Sequence, residues 1–338
     1  MRGKDLMTEP TPEFLIGMYR KMLEIRNLEQ SAYDMASAGK LPGLVHVSTG
    51  QEAVAVGVCS TLRLEDTVVG THRSHGYALA KGASPRSIMA ELMGRQDGCC
   101  KGYGGSMHVT DVAHGMLGCT AIVGGGIGMS AGAALSHKLR RTDNVSVCFF
   151  GDGALGQGSF YEILNMASKW TLPLLLVCDN NLYSMSTRSE KVQAFSSCSD
   201  LASPYKIWGA KVDANNILEV YQAACTAADR ARRGDGPSIL DCVTYRWTGH
   251  GVGDPGIYRT AEELESWKMR DPINHLREYL IARKWLNEAG AARIDEEAKA
   301  LVADAVSFAE SSPHPAPEQA WKHLYSEPIL KVYQECES

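Results

Sequence analysis

Apolar runs of strand length recur along this chain, and each is followed by a polar or glycine-rich segment. The two clearest runs cover residues 145–150 and 172–178, and an amphipathic stretch over residues 159–170 lies between them. Strand, helix and strand in this order predict a β-α-β unit with two parallel strands. Weaker patterns predict two further strands and two further helices, at 67–70, 238–247, 51–62 and 220–233. We therefore expect an α/β fold built on a parallel sheet.

The patterns at both ends of the chain predict helices. Thr11 can cap a helix whose first position is Pro12. The apolar residues that follow recur at helical spacing, at Leu15, Met18, Met22 and Ile25. From Ala261 onward the chain is charged and helical in pattern. We predict an N-terminal helical segment, an α/β domain and a C-terminal helical extension, at 1–40, 41–260 and 261–338.

Composition and charge exclude several classes of protein. The 338 residues carry a formal net charge of -5, and no basic run is interleaved with aromatic residues. This pattern is not that of a nucleic-acid-binding protein. Residues 121–135 form the longest apolar stretch, which is too short and too rich in glycine to span a membrane. Residues 1–12 are polar and lack the apolar segment of a signal peptide.

The ten cysteines have no CxxC spacing, and Cys148, Cys178 and Cys242 fall within apolar runs. This pattern favours buried, reduced thiols over disulfides or a zinc site. Reduced thiols are typical of the cytosol, so we expect a cytoplasmic protein.

Polar residues follow two of the predicted strands directly. Gly151-Asp152-Gly153 comes after the strand at 145–150, and Asn180-Asn181 comes after the next strand. Open α/β sheets bind ligands beyond the carboxyl ends of their strands. Asp152 and Asn181 would offer two oxygen ligands and one negative charge, which suits Mg²⁺ shared with phosphate oxygens. Second copies at 234–236 and 215–216 adjoin predicted helices, where they indicate a turn and a loop.

Other residues near predicted strand ends suit an anionic ligand. Arg73 can neutralise phosphate, and His72, His75 and His250 can donate hydrogen bonds. The glycines at 124–126 would let the backbone approach a flat ring. Each residue alone could be structural, but their clustering at strand ends favours a site. P-loop, HExxH and GxSxG motifs are absent, and no strand-linked GxGxxG with a later acid is found.

These segments together resemble one family, over about residues 14–321. It comprises the alpha subunits of the decarboxylating, thiamine-dependent component of 2-oxo-acid and acetoin dehydrogenase complexes. The resemblance implies a thiamine diphosphate-binding fold, with a doubly wound, mostly parallel sheet and helices on both faces. The matching segments are Gly50-Gln51-Glu52-Ala53, the stretches at 72–76 and 101–108, Gly151 to Asn181 as described, Thr244-Tyr245-Arg246, Gly249-His250 and Asp254-Pro255-Gly256.

The resemblance also implies roles for particular residues, with thiamine diphosphate and Mg²⁺ as cofactors. Mg²⁺ would be bound by Asp152, by the Asn181 side chain and by the Tyr183 carbonyl. His46, His75 and His250 are the candidate catalytic residues; His46 would face the substrate, and His250 would assist acyl transfer to a lipoyl group. The remaining cofactor contacts are implied at His72, Arg73, Ala121, Val123, Gly153 and Ala154, with His250 beside the diphosphate.

The resemblance further implies partner chains. The cofactor needs a carboxylate on its aminopyrimidine ring, and in this family that glutamate belongs to a beta subunit. Glu52 is a poor substitute, because the resemblance places it at a helix start in the diphosphate-binding half. We therefore expect a heterotetramer of two alpha and two beta chains, serving a lipoyl-bearing acyltransferase, and no activity from the alpha chain alone.

Three functions stay open at this point. The chain could cleave acetoin or oxidatively decarboxylate a short 2-oxo acid, and His72, where pyruvate members usually have tyrosine, favours acetoin. It could instead belong to an acyloin-forming synthase with no lipoyl partner, since residues 126–129 depart from the usual family sequence. It could also be a non-catalytic binding protein of the same fold. Gly251 stands where mitochondrial pyruvate members carry a phosphorylated serine, which excludes that form of control.

Overall fold

The computed structural model describes residues 10–319 and residue 322. The strands are β1 (Thr67–Gly70), β2 (Met116–Cys119), β3 (Ser146–Gly151), β4 (Leu174–Asn180), β5 (Tyr183–Ser184), β6 (Thr187–Arg188), β7 (Trp208–Asp213) and β8 (Ser238–Val243). Six of them form a fully parallel sheet in the order β2-β1-β3-β4-β8-β7, and β5 and β6 form a separate antiparallel hairpin.

Ten helices lie within the described residues. They are α1 (Pro12–Ser37), α2 (Glu52–Cys59), α3 (Ser74–Lys81), α4 (Pro85–Leu92), α5 (Gly125–Leu139), α6 (Gly158–Lys169), α7 (Ile217–Arg232), α8 (Ala261–Lys268), α9 (Pro272–Ala282) and α10 (Glu288–Ser311).

Alternate residues of the central strands face two separate apolar cores. Val147 and Phe149 of β3 join a core with α1, α2, α4, α7, α9 and α10. Cys148 and Phe150 of the same strand join a second core with α5 and α6. Successive side chains of a strand point to opposite faces, so helices cover both faces of the sheet. The predicted α/β fold class, with a mostly parallel sheet and helices on both faces, is confirmed.

The terminal helices pack onto the same core as the sheet. Thr11 caps α1, because its side chain accepts a hydrogen bond from the Phe14 N–H. Arg26 of α1 bonds Glu52 of α2 at 2.9 Å and Asp271, which caps α9, at 3.1 Å. The proposed division at 1–40, 41–260 and 261–338 stays a prediction, and its last residues lie outside those described.

Both edge strands of the sheet escaped the sequence patterns. β2 and β7 are bonded on one side only, and most of the β7 side chains are partly exposed. An edge strand needs no continuous apolar run, so the signal used for the central strands is missing. The predicted turn is confirmed at Gly234, whose φ of 80° is left-handed. The predicted loop is confirmed at Asn216, which caps α7.

The described cysteines differ in how deeply they are buried. The nine within the described residues are free thiols, and Cys148, Cys178 and Cys242 are buried in strands. Cys99, Cys100 and Cys225 are only half-buried, so the expectation of buried thiols is wrong for them. Their turn and helix positions explain this exposure. In the part of the chain described, no helix is both long and apolar enough to cross a membrane. The cytoplasmic location stays a prediction.

Candidate functional site

A cavity of about 460 Å³ opens beyond the carboxyl ends of the sheet strands. Its walls come from segments that follow β1, β3, β4 and β8, together with the start of α5. Its size is typical of a cavity for one small-molecule ligand. Apart from His75, the predicted site residues all line it, namely His46, His72, Arg73, Ala121, Val123, Asp152, Gly153, Ala154, Asn181, Tyr183 and His250.

Asp152 stands in the turn directly after β3 and is almost fully buried. Its carboxylate accepts a hydrogen bond from the Ser189 hydroxyl, and its carbonyl accepts one from Gln193 at 3.0 Å. Burial raises the pKa of Asp152, although the Ser189 bond opposes that rise. A divalent cation beside this carboxylate would favour its ionised form.

Asn180, which ends β4, and Asn181, which follows it, have different environments. Asn180 bonds Asp241 of β8 at 2.9 Å, which fixes the strand end. Asn181 lines the cavity; its amide nitrogen donates to Gln51 at 3.1 Å, and its oxygen accepts from the Tyr183 N–H at 3.3 Å. Leu182, between Asn181 and Tyr183, has a φ of 70°, a strained conformation for a leucine. Such strain is often found at functional sites.

Two buried guanidinium groups face the same cavity. Arg73 donates to the Val47 carbonyl at 2.6 Å and to the His250 carbonyl at 2.7 Å. Arg246 donates to the Met185 carbonyl at 3.0 Å. Within the described part of the chain, neither group has a carboxylate at ion-pair distance. Burial and the Arg246 charge lower the pKa of Arg73 to about 10, which still leaves it charged at neutral pH. The cavity therefore favours an anion.

Three imidazoles cluster beside Arg73. The ring centres of His46, His72 and His250 are 4.8, 5.1 and 5.4 Å apart. Burial and then the Arg73 charge lower the pKa to about 4 for His46 and His250 and to about 2 for His72. The three rings are therefore neutral at pH 7, when each can donate one hydrogen bond and accept another.

His75 lies apart from the cavity. Its ring is fully buried and contacts Glu29 at 2.8 Å through Nδ1 and the Ser106 hydroxyl at 2.9 Å through Nε2. The Ser106 hydroxyl in turn accepts a bond from the His46 N–H at 3.5 Å. These contacts suit a residue that positions the loop bearing His46 rather than one that touches substrate.

Glycines bring separate segments of the wall close together. A Cβ at Gly153 would lie 2.4 Å from the Ser184 hydroxyl oxygen, so the turn after β3 and the β5 strand approach more closely than alanine would permit. Gly124, with a φ of 80°, directly precedes α5 and follows Val123, whose side chain is half exposed.

Glu52 lies away from the cavity, with its carboxylate already bonded. It is fully buried at the start of α2, where it accepts bonds from Arg26 and from the Gly50 N–H. It does not line the cavity. Glu52 therefore does not replace the carboxylate that is expected from a second chain.

Three residues of the site, Arg246, Gln51 and Ser189, were not predicted from the sequence to have a role there. Arg246 follows β8 at a short distance, much as Arg73 follows β1, so strand-end position was a usable signal. Gln51 and Ser189 act through hydrogen bonds to Asn181 and Asp152, which only the folded chain brings together.

The donor set fits a diphosphate held with a divalent cation. Asp152 and Asn181 could supply oxygen ligands, and two guanidinium groups lack acidic partners among the described residues. Nδ1 of His46 and Nε2 of His72 are also buried without hydrogen-bond partners in the described structure. Buried polar atoms normally have partners, so these nitrogens suit contacts with a bound polar molecule.

Comparisons with known proteins agree with this geometry. The sequence profile of the dehydrogenase E1 component family matches residues 19–318. The alpha subunit of acetoin:2,6-dichlorophenolindophenol oxidoreductase from Bacillus subtilis (strain 168) is 45% identical, over 93% of this chain and 94% of its own length. Two pyruvate dehydrogenase E1 component alpha subunits are also similar. Chloroplastic alpha-3 from Arabidopsis thaliana is 40% identical over 94% and 76% of the two lengths. The subunit from Zymomonas mobilis subsp. mobilis is 39% identical over 92% and 88%.

Proposed function

This chain belongs to the dehydrogenase E1 component family, and from that membership we propose how its cavity holds the cofactor and what the enzyme converts. It is the alpha subunit of a thiamine diphosphate-dependent oxidoreductase. Thiamine diphosphate, when bound, supplies a carbon nucleophile and takes up the electron pair released when a carbon–carbon bond is cleaved.

The protein contributes placement and charge. Asp152, Asn181 and the Tyr183 carbonyl hold Mg²⁺, while Arg73, His72 and the N–H groups of Gly153 and Ala154 hold the diphosphate. The observation that carries this proposal is one cavity containing a buried acid, an amide and two guanidinium groups without acidic partners among the described residues. Ala121 and Val123 offer backbone groups to the aminopyrimidine ring, beside the Gly124 turn.

The site is completed by a second chain. Glu52 is bonded elsewhere, so the activating carboxylate comes from a beta subunit. We propose two alpha and two beta chains in the assembly. His46 contacts the substrate, and His250 assists transfer of the acyl group to the lipoyl group of an acyltransferase.

Acetoin is the substrate that the site suits best, and a short 2-oxo acid is the second candidate. The three imidazoles beside Arg73 are neutral at pH 7 because their pKa values are strongly lowered. Neutral rings can donate hydrogen bonds to a ketone or hydroxyl, but they offer no positive charge to a carboxylate. A 2-oxo acid, which carries a carboxylate until it is decarboxylated, would need such a charge more than an uncharged ketol would.

The test uses the chain purified with its beta subunit. Thiamine diphosphate binding is measured by calorimetry with and without Mg²⁺, and turnover is measured with acetoin and with pyruvate. Asp152→Ala should abolish Mg²⁺-dependent binding and turnover. Full cofactor affinity in that variant would refute the cation assignment, and higher kcat/KM for pyruvate would refute the preference for acetoin.

A second function, acyloin synthesis without a lipoyl partner, rests on the unusual segment Gly126 to Met129. Products are analysed with and without an added lipoyl domain. Acyl transfer predicts that the lipoyl domain becomes acylated. Products that are indifferent to the lipoyl domain would favour the synthase, and absence of cofactor binding would favour a non-catalytic binding protein.

A further inference from the structure

The loop between α4 and β2 carries two adjacent thiols in a tight turn. The Gly98 carbonyl accepts the Lys101 N–H at 2.8 Å, so Cys99 and Cys100 are the central residues of a β-turn. Their sulfur atoms and a carboxylate oxygen of Glu91 all lie within 4.8 Å of one another. Both cysteines are half-buried, whereas most described cysteines are buried. This pair therefore combines proximity with access.

The two thiols have different surroundings. The sulfur of Cys100 accepts the Thr110 N–H at 3.2 Å, and the Cys99 sulfur lies within 4.8 Å of it. The neighbouring Cys99 thiol is the main reason why the pKa of Cys100 is lowered, although burial and the Glu91 charge oppose it. The carbonyls of His108 and Thr110, at 3.4 and 3.6 Å, can accept the proton when Cys100 is a thiol. The thiolate is the reactive form, so Cys100 is the better nucleophile.

The same loop is fastened by one buried carboxylate. Glu91 accepts four backbone N–H bonds, from Cys100 at 2.8 Å, Gly102 at 2.9 Å, Gly104 at 2.7 Å and Gly105 at 3.0 Å. A change at Cys100 therefore acts on one of the bonds that hold the loop.

The far end of this loop reaches the cavity wall. The Ser106 carbonyl accepts the Ser74 hydroxyl at 2.5 Å, next to Arg73 in sequence. The Ser106 hydroxyl contacts the His75 ring and accepts the His46 N–H at 3.5 Å. Loop position is thus connected by direct hydrogen bonds to the segment that carries His46.

We propose that Cys99 and Cys100 are a reversible oxidation site, at which a low-molecular-weight disulfide converts the two thiols into a disulfide between adjacent residues. The Cys100 thiolate attacks one sulfur of the reagent, forming a mixed disulfide and releasing one thiol of the reagent. The Cys99 thiolate then attacks the Cys100 sulfur, which forms the Cys99–Cys100 bond and releases the second reagent thiol. Two protein thiols are oxidised and one reagent disulfide is reduced.

The bond between neighbours is strained, which makes it easy to reverse. Consecutive Cα atoms are about 3.8 Å apart across a trans peptide. Ordinary disulfides join Cα atoms about 4.4–6.8 Å apart. Strained disulfides are more readily reduced, which is typical of regulatory bonds. Closing the ring must also change the β-turn, and that change pulls the Cys100 N–H away from Glu91.

The experiment treats the complex of alpha and beta chains with oxidised glutathione and maps the peptides by mass spectrometry. In the wild type, the peptide with Cys99 and Cys100 should lose two hydrogens and regain them with dithiothreitol. Cys99→Ser should accumulate glutathione on Cys100, because no second thiol resolves it. Cys100→Ser should react more slowly at Cys99 than Cys99→Ser reacts at Cys100, because Cys100 is the thiol whose pKa is lowered.

Cys225→Ser is the matched control, since Cys225 is also half-buried but lies in α7 and burial raises its pKa. It should leave the reaction unchanged. Hydrogen exchange should accelerate at Gly102, Gly104 and Gly105 in the oxidised form. Preferential modification of Cys225, or no adduct in Cys99→Ser, would overturn the oxidation site. Identical exchange before and after oxidation would overturn its link to the cavity.

Discussion

Gly153 allows the two halves of the proposed cation site to approach each other. It follows Asp152 in the turn after β3, and it faces Ser184 next to Tyr183 in the hairpin. A Cβ at Gly153 would lie 2.4 Å from the Ser184 Oγ and 3.1 Å from the Ser184 Cβ. The hydroxyl can rotate away, but the Ser184 Cβ is fixed to the backbone. Gly153→Ala should therefore push the hairpin away from the turn.

The size of the effect follows from overpacking. Forcing an extra methyl group into a close-packed contact costs about 1–3 kcal/mol. If the displacement separates Asp152 from the Tyr183 carbonyl, that cost falls on the cation-bound state. It then weakens Mg²⁺-dependent cofactor binding by about 5-fold to 150-fold.

The assay is calorimetric titration of the alpha–beta complex with thiamine diphosphate at a fixed Mg²⁺ concentration. Gly156→Ala is the matched control, because Gly156 ends the same turn without lining the cavity and a Cβ there meets no atom within 4 Å. Its affinity should stay at the wild-type level. Adding Ser184→Gly to Gly153→Ala removes both clashing atoms and should restore most of the affinity. Unchanged binding in Gly153→Ala would refute the reasoning, and so would a double variant as weak as the single one.

Three further predictions concern charge in the cavity. Asp152→Asn should weaken Mg²⁺-dependent binding while leaving the cofactor-free protein as stable or more stable in thermal unfolding at pH 7, because burial raises the pKa of Asp152. Arg246→Met should lower diphosphate affinity by about tenfold or more, since it removes a buried charge-assisted donor, and Arg246→Lys should retain more affinity in the same titration. Acid should destabilise the cofactor-free protein between about pH 6.5 and 4, because the pKa of His46 falls from 6.5 to about 4 on folding and the unfolded chain takes up the proton first. His46→Phe should lose less stability over that range in urea unfolding, and an equal loss would count against the neutral ring.

The central strands of the fold could be predicted from the sequence because their apolar residues follow a regular pattern along the chain. The strand predicted at 67–70 matches β1, and the strands on either side of α6 were predicted to within one or two residues. Buried parallel strands are continuous apolar runs, so the pattern alone finds them. The prediction at 238–247 was too long, because β8 ends at Val243 and an irregular segment carries the chain on to Arg246.

The candidate site was predictable where a side chain directly follows a strand. Asp152 and Asn181 satisfy that rule, Arg73 follows β1 by three residues, and the structure places all three along one cavity. His75 satisfies it nearly as well, yet α3 turns its ring inward to Glu29. His75 is the second residue of α3, directly after Ser74, and a helix rotates successive side chains by a large angle. Position after a strand therefore predicts which residues lie near the cavity. It does not predict the direction of each side chain, which depends on packing.

Arg26 links the C-terminal helices to the rest of the chain, so the fold depends on them. It bonds Glu52 and Asp271 together, while α10 packs on α1 and α4. A protease that cut after residue 260 and released the C-terminal helices would leave Arg26 paired with Glu52 alone. It would also expose the apolar face of α1 that those helices cover. Trimming there should end in precipitation rather than in a smaller working subunit.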